Sequence, residues 1–300
     1  MINQLVNNIS NRLSLRHPQR QSLEILARIC ELLSIPDITD RETSLVAIKK
    51  EFPTFTDFER DFPSLCFALA TGVGKTRLMG AFISYLYLAH NIKNFFILAP
   101  NLTIYNKLIT DFTPNASKYV FTGIDKFASQ SPKIITGDNY QEDRTPTLFD
   151  DQIPCKINIF NISKINSEVR GGKSPKIKRL SEYIGESYFD YLSQLKDLVI
   201  LMDESHRYRA SAGVRAINEL KPLMGLELTA TPFVETNKGS VAFKNVIYDY
   251  PLGRAITDGF VKDPAVVTRK DFNPASMSPE AIERLKLEDG IYLHENIKAE

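Results

Sequence analysis

The stretch Leu65–Thr76, L-C-F-A-L-A-T-G-V-G-K-T, constrains the fold of this chain more than any other. Leu65 to Ala70 is a short apolar run of the kind that a parallel sheet covered on both faces requires. It ends in Thr71-Gly72-Val73-Gly74-Lys75-Thr76. The two glycines let the backbone turn tightly enough for successive amide N–H groups to converge on phosphate oxygens, at the positive end of a helix beginning near Lys75. Lys75 then reaches the terminal phosphates of a nucleotide, and the Thr76 hydroxyl holds Mg²⁺. The strict pattern G-x-x-x-x-G-K-[ST] is not met, because its first glycine falls on Leu69. The shortened form T-G-x-G-K-T, set after a strand and before a helix, carries the prediction instead; the competing reading is a Gly-rich turn with a solvated lysine.

A chain of 300 residues with 43% hydrophobic content has enough apolar material for one large core or two modest ones. Its 37 basic and 36 acidic residues leave a net charge of +1, so any nucleic acid or anionic partner must be met by a local patch and not by a global field. Cys30, Cys66 and Cys155 lie in no C-x-x-C spacing, which argues against a disulfide framework or a zinc site and for a reducing cytoplasm. No run approaches the ~20 apolar residues of a membrane span, and the N-terminus lacks a basic leader with an apolar core, so no membrane partner is expected.

In chain order, Ile2, Leu5, Val6, Ile9 and Leu13 predict an amphipathic helix over residues 1–15, and Leu23, Leu26, Ile29, Leu32 and Leu33 a second over Gln19–Leu33. A short helix over Ser44–Lys50 and the aromatic, proline-bearing residues 53–63 lead into the phosphate-loop strand. Arg77–His90 is apolar nearly all round, as a helix between a sheet and another layer must be. Asn94–Ala99 reads as a second buried strand, followed after Pro100-Asn101 by a helix through about Asp111. Lys133–Thr136 and Lys156–Phe160 are shorter strand candidates around a polar excursion over residues 137–154. Arg170–Arg179 is the one dense basic stretch, either a solvated loop or a nucleic-acid backbone contact.

Leu198–Met202 is a third buried strand, ending in Asp203-Glu204-Ser205-His206, and Leu226–Leu228 lead into Thr229-Ala230-Thr231-Pro232. Open α/β sheets bind ligands beyond the carboxyl ends of their strands, so these turns converge on the phosphate loop. ATP hydrolysis needs a phosphate cradle, a metal, a carboxylate that orders the metal, and a group that orients water. Lys75 and Thr76 meet the first two needs, Asp203 is placed to hold Mg²⁺, and Glu204 is the candidate base. His206 and the T-A-T turn have no part in that minimal chemistry, which suggests that hydrolysis is coupled to something else.

The order A-T-G-V-G-K-T, A-P-N, D-E-S-H, T-A-T-P resembles the first RecA-like motor domain of superfamily-two helicases of the D-E-x-H type. That resemblance implies an α/β fold, a RecA-like P-loop NTPase domain with a largely parallel sheet, helices on both faces and an N-terminal helical lead-in. It implies nucleotide contacts through Thr71, Gly72, Val73, Gly74, Lys75 and Thr76. By the same resemblance Thr229 and Thr231 couple the nucleotide site to nucleic-acid movement, and His206 contacts their turn or a second motor domain. In R-H-P-Q, Gln19 matches the glutamine that reads adenine, with Gln21 a nearby rival and Pro18 where an aromatic residue is common.

Longer phrases narrow the family: F-F-I-L-A-P-N-L-T-I-Y-N-K-L with I-T-D-F, K-I-I-T-G-D-N-Y, I-N-I-F-N-I-S-K-I-N, L-V-I-L-M-D-E-S-H-R-Y and Y-P-L-G-R-A-I-T-D-G-F-V-K-D-P. Together these are similar to the restriction (Res) subunit of type III restriction-modification enzymes, from about Arg16 to Val267. The resemblance implies an ATP- and Mg²⁺-dependent motor acting on double-stranded DNA beside a methyltransferase (Mod) subunit. An RNA helicase or remodeller shares the short motifs, and a nucleotide-binding module without turnover is a reading from another class. The expected organisation is a lead-in over residues 1–53, an ATPase domain over 54–268 and the start of a connection over 269–300. The lack of a second arginine-bearing motor motif and of a nuclease domain reads as an N-terminal fragment.

Overall fold

The computed structural model describes residues 2–36, 38, 40–140, 153–161, 186–209, 211–236, 239–262, 269, 272–273 and 277–299. The basic stretch Arg170–Arg179 and residues 141–152 of the expected excursion lie outside them. Met1–Val261 forms one compact unit and Lys262–Glu300 a second.

The first unit begins with α1 (Ile2–Arg12), α2 (His17–Leu33) and α3 (Arg41–Glu51). The phosphate-loop region follows as β1 (Ser64–Leu69) and α4 (Lys75–His90), then β2 (Asn94–Ala99) and α5 (Leu102–Phe112). Next come α6 (Asp125–Ser129), β3 (Lys133–Ile135), β4 (Lys156–Asn161), α7 (Glu186–Ser193) and β5 (Leu198–Asp203). A 3₁₀ turn (Ser205–Tyr208), α8 (Ser211–Glu219), β6 (Met224–Thr229), β7 (Phe233–Thr236), β8 (Gly239–Ala242), β9 (Val246–Tyr250) and α9 (Leu252–Thr257) complete it. Helix α10 (Pro279–Ala299) belongs to the second unit, where the Arg269 guanidinium pairs with Asp289 at 2.7 Å.

Seven strands form one sheet in the order β3-β4-β2-β5-β6-β1-β9, and every neighbouring pair is parallel. This is the RecA-like α/β arrangement expected from the motifs. Strand faces alternate between two cores, as a pleated sheet covered on both sides requires. On β2 and β5, Phe95, Ile97, Val199 and Leu201 enter one apolar cluster, while Phe96, Leu98, Leu198, Ile200 and Met202 enter the other. The first cluster holds residues of α1, α2, α4 and α5; the second is closed by Tyr188, Leu192, Tyr208, Ile217 and Leu220. Leu78–Leu86 of α4 are all buried because α1 and α2 pack against this helix on the side away from the sheet.

The order of the central strands positions the site. Strand β6 lies between β5 and β1, so the T-A-T turn emerges between the D-E-S-H turn and the phosphate loop. Strand β9, which the sequence reading did not single out, flanks β1 on its other side, and the Ala70 amide donates to the Tyr250 carbonyl at 3.0 Å. The antiparallel β7–β8 pair was also not anticipated; its residues are mostly exposed, so it carries no alternation of buried apolar positions to read.

Candidate functional site

The loop between β1 and α4 uses its glycines as the sequence requires. Gly72 and Gly74 have φ of +86° and +101°, the left-handed region that a side chain disfavours. At Gly74 a Cβ would also stand 2.5 Å from the Gln19 amide nitrogen. Val73 is buried and anchors the loop, while Thr71 and Gly72 are exposed. Helix α4 starts at Lys75, so its first-turn amides have no partner within the helix and face the loop's concavity.

Gln19 lies beneath this loop and is buried. Its Oε1 accepts the Arg16 backbone N–H at 2.7 Å, capping α2, and its Nε2 donates to the Gly74 carbonyl at 2.8 Å. Arg16 donates from its guanidinium to the Gly72 carbonyl at 2.8 Å and stands 5.1 Å from the centre of the Phe260 ring. One end of α2 therefore fixes two carbonyls of the phosphate loop. The rival Gln21 is elsewhere, accepting from the Tyr248 hydroxyl at 2.6 Å. Ser14, Arg16, Gln19, Gly72, Val73, Gly74 and Arg77 line a cavity here.

The chemistry-bearing side chains meet across the ends of β1, β5 and β6. Lys75 Nζ is 3.2 Å from Glu204 Oε1. Glu204 has φ +49°, a left-handed conformation rare outside glycine, which turns the chain sharply at the end of β5. His206 Nδ1 sits 3.6 Å from Glu204 Oε2 and 3.1 Å from the hydroxyls of both Thr229 and Thr231. The Thr231 amide also donates to the Thr229 hydroxyl at 3.1 Å, which closes the T-A-T turn on itself. Burial lowers the His206 pKa despite the neighbouring Glu204 carboxylate, which favours the neutral imidazole.

Asp203 is buried, and its Oδ1 has no hydrogen-bond partner among the described residues. Burial first and the Glu204 carboxylate second push its pKa up to about 6, against the pull of Lys75. A buried carboxylate oxygen with nothing to accept from is a position that metal-bound water can satisfy. No group of three or more His, Cys, Asp or Glu side chains among the described residues could hold a metal alone.

The raised Asp203 pKa has a consequence for stability. Below pH ~3.8 the carboxyl is protonated folded and unfolded, and the site costs nothing. Between pH ~3.8 and about 6 the unfolded carboxyl ionises while the buried native one keeps its proton, so stability falls across that window and levels off above it. Asp203→Asn is therefore expected to raise the Tm at pH 7.5 and to lose that gain by pH 4. Equal gains at both pH values would show that burial does not oppose ionisation at this position.

Two sets of residues were not found from the sequence. Lys107 Nζ lies 3.2 Å from Thr76 Oγ1 and 2.7 Å from Asp111 Oδ2. Glu227, fully buried on β6, takes the Arg60 Nε at 2.9 Å, the Ser64 hydroxyl at 2.7 Å, the Asn245 amide at 3.0 Å and the Arg209 guanidinium at 2.5 Å. Arg209 also pairs with Glu59 and lies 3.7 Å from the centre of the Phe243 ring. The available signal was one glutamate inside the otherwise apolar run M-G-L-E-L-T. Cys30, Cys66 and Cys155 are buried and free. Among the described residues no helix is long and apolar enough to cross a membrane.

Residues 12–234 match the family model described as type III restriction enzyme, res subunit. No curated protein matches the chain. Two solved structures are similar at low identity. The Sulfolobus solfataricus SWI2/SNF2 ATPase core in complex with dsDNA is 18% identical over 56% of this chain and 28% of its own, with a TM-score of 0.32. A nuclease-deletion mutant of the Type ISP restriction-modification enzyme LlaGI, in complex with a DNA substrate mimic, is 12% identical over 82% of this chain and 20% of its own, with a TM-score of 0.44. The chain thus spans less than a third of the length of either protein.

Proposed function

Because the chain belongs to the type III restriction enzyme res subunit family, we propose that it is the ATP-binding and hydrolysing motor domain of a DNA-dependent translocase. At the family level it is a superfamily-two helicase-like ATPase domain. The observation that carries the finer reading is the meeting of Lys75 with Glu204 at 3.2 Å, beside a buried Asp203 whose Oδ1 has no partner among the described residues. A structural lysine–glutamate pair has no need of an uncompensated carboxylate next to it.

In this reading the phosphate-loop amides and the Lys75 ammonium bind the β- and γ-phosphates, and Lys75 leaves Glu204 to do so. Thr76 and Asp203 would hold Mg²⁺, which would supply charge neutralisation at the phosphate oxygens. Glu204 accepts a proton from water as the water oxygen bonds to the γ-phosphorus and the bond to ADP breaks. His206, two residues after Glu204, is hydrogen-bonded to Thr229 and Thr231, and in this reading it passes a change at the phosphates to the T-A-T turn. Gln19 and Arg16 take part by setting the shape of the phosphate loop, with residues 1–53 as the lead-in to an ATPase domain over 54–268.

By family membership double-stranded DNA is proposed as the track and a methyltransferase subunit as the partner, and the three free cysteines favour the cytoplasm as the compartment. Any contact to DNA is proposed to be with phosphates, through the charge of the Arg170–Arg179 stretch.

Two measurements test the reading. Lys75→Ala is expected to remove most affinity for Mg·ATP, because its ammonium is aimed at the terminal phosphates. Calorimetry giving equal affinity for wild type and variant would overturn it. ATP turnover measured with and without duplex DNA and duplex RNA then identifies the track, with stimulation by DNA the expected result.

A further inference from the structure

A lysine and an aspartate four residues apart on a helix form an ordinary surface pair, and Lys107–Asp111 on α5 has that spacing. Two features make it more than that. The Asp111 side chain is almost buried, so its carboxylate is a fixed partner and not a mobile surface charge. The Lys107 ammonium also reaches a second helix, where its hydrogen bond ends on the Thr76 hydroxyl at 3.2 Å. Thr76 and Asp203 are the two residues proposed above to hold the metal, and Lys107 acts on both: on Thr76 by contact, and on Asp203 as one of two ammonium charges that favour its ionised form.

The site thus has two lysines with separate places. Lys75 lies against Glu204, and Lys107 lies against Thr76, bonded to its hydroxyl. An ammonium and a divalent cation draw on the same hydroxyl oxygen, and two cations that close repel each other. We propose that Lys107 is a built-in counter-cation for the metal side of this site, holding the Thr76 hydroxyl when nucleotide is absent and retreating onto Asp111 when Mg²⁺ enters with the nucleotide. The pair with Asp111, already formed at 2.7 Å, is the resting place for the displaced ammonium. Lys107 is a positioning residue here, and the inference rests on the nucleotide reading given above.

The consequence is a Mg²⁺ requirement set by Lys107. Removing the ammonium removes a competitor for Thr76, so the metal should bind at lower concentration. Removing Asp111 deprives the ammonium of its resting place, so the metal should need a higher concentration. These two changes act in opposite directions although both break the same salt bridge, which a merely structural role for the pair does not predict.

The test is a MgCl₂ titration of the binding of a fluorescent, non-hydrolysable ATP analogue to the whole chain, read by fluorescence anisotropy without any turnover. Lys107→Met and Lys107→Gln are expected to lower the half-saturating Mg²⁺ by ~3-fold or more, the scale of a half-exposed charge interaction. Lys107→Arg, which keeps the charge, should stay near the wild-type value. Asp111→Asn should raise the half-saturating Mg²⁺, and in the Lys107→Met background the same change should have little effect. Unchanged or raised half-saturation in both Lys107→Met and Lys107→Gln would overturn the proposal, as would Asp111→Asn lowering it. A wild-type chain that binds no analogue at any Mg²⁺ concentration would instead overturn the nucleotide reading, and this inference with it.

Discussion

Glu204→Gln is expected to lower ATP turnover by ~10² or more while leaving nucleotide affinity within about twofold of wild type, because the amide fills the same space but cannot accept a proton. The geometry argues for this separation. Glu204 is held by a left-handed backbone at the end of β5, a conformation that an amide side chain tolerates as well as a carboxylate does. Its contact with Lys75 at 3.2 Å belongs to the nucleotide-free state, and weakening it frees the lysine for the phosphates. Binding should therefore be kept, or even tightened. Asp203→Asn should fail differently, by loss of Mg²⁺ dependence, since Asp203 and not Glu204 has the buried, unpartnered oxygen. Phosphate release and analogue binding measured on both variants separate the cases. One shared kinetic defect would show that the two carboxylates do not divide the work as assigned.

What the sequence could show of this site is what lies within a few residues of a strand end. T-G-V-G-K-T and D-E-S-H each sit on one turn, and their chemistry follows from spacing along one stretch of chain. The parallel sheet was legible too, because L-C-F-A-L-A, N-F-F-I-L-A and L-V-I-L-M are short apolar runs bounded by polar residues. Strand order was not legible. Nothing local to Val246–Tyr250 places β9 beside β1, and nothing in T-A-T-P says that its strand lies between the other two. Gln19 shows the same limit. Its residue type and position were readable, but its bond to the Gly74 carbonyl joins residues 55 apart in the chain and exists only because α2 packs on α4. Lys107 and Asp111 were readable as a helical pair, whereas the approach of Lys107 to Thr76 depends on where α5 lies relative to α4.

The Glu227 cluster is the clearest case of chemistry that only the fold assembles, and it carries the second large prediction. Glu227 gathers Arg60 and Ser64 from the lead-in to β1, Arg209 from beyond the 3₁₀ turn and Asn245 from before β9, three separate segments. Burial pushes its carboxyl up, but Arg60 and Arg209 together with the Ser64 hydroxyl outweigh that and hold it at about 2. Removing this one carboxylate leaves two guanidinium groups facing each other out of water, and breaking a buried ion pair from one side costs about 3–5 kcal/mol. Glu227→Gln is therefore expected to lose stability on that scale in urea unfolding at pH 7. Arg209→Met should cost less, because the fully buried Arg60–Glu227 pair survives it at 2.9 Å. The pH dependence has a definite sign. The native carboxyl titrates near 2 and the unfolded one near 4.5, so the stability it supplies is present above pH ~4.5 and lost as pH falls toward 2. The gap between wild type and Glu227→Gln should thus be wide at pH 7 and narrower at pH 3. Damage here is expected to reach the nucleotide site as well. Glu227 is two residues before Thr229 on β6, and Arg209 directly follows the turn that carries His206, so the Glu227–Arg209 bond and the His206–Thr229 bond join the same two segments. A Glu227→Gln chain with wild-type urea stability at pH 7 would show that the two arginines are satisfied without the carboxylate, and the cluster could not then be what keeps these strand ends in register.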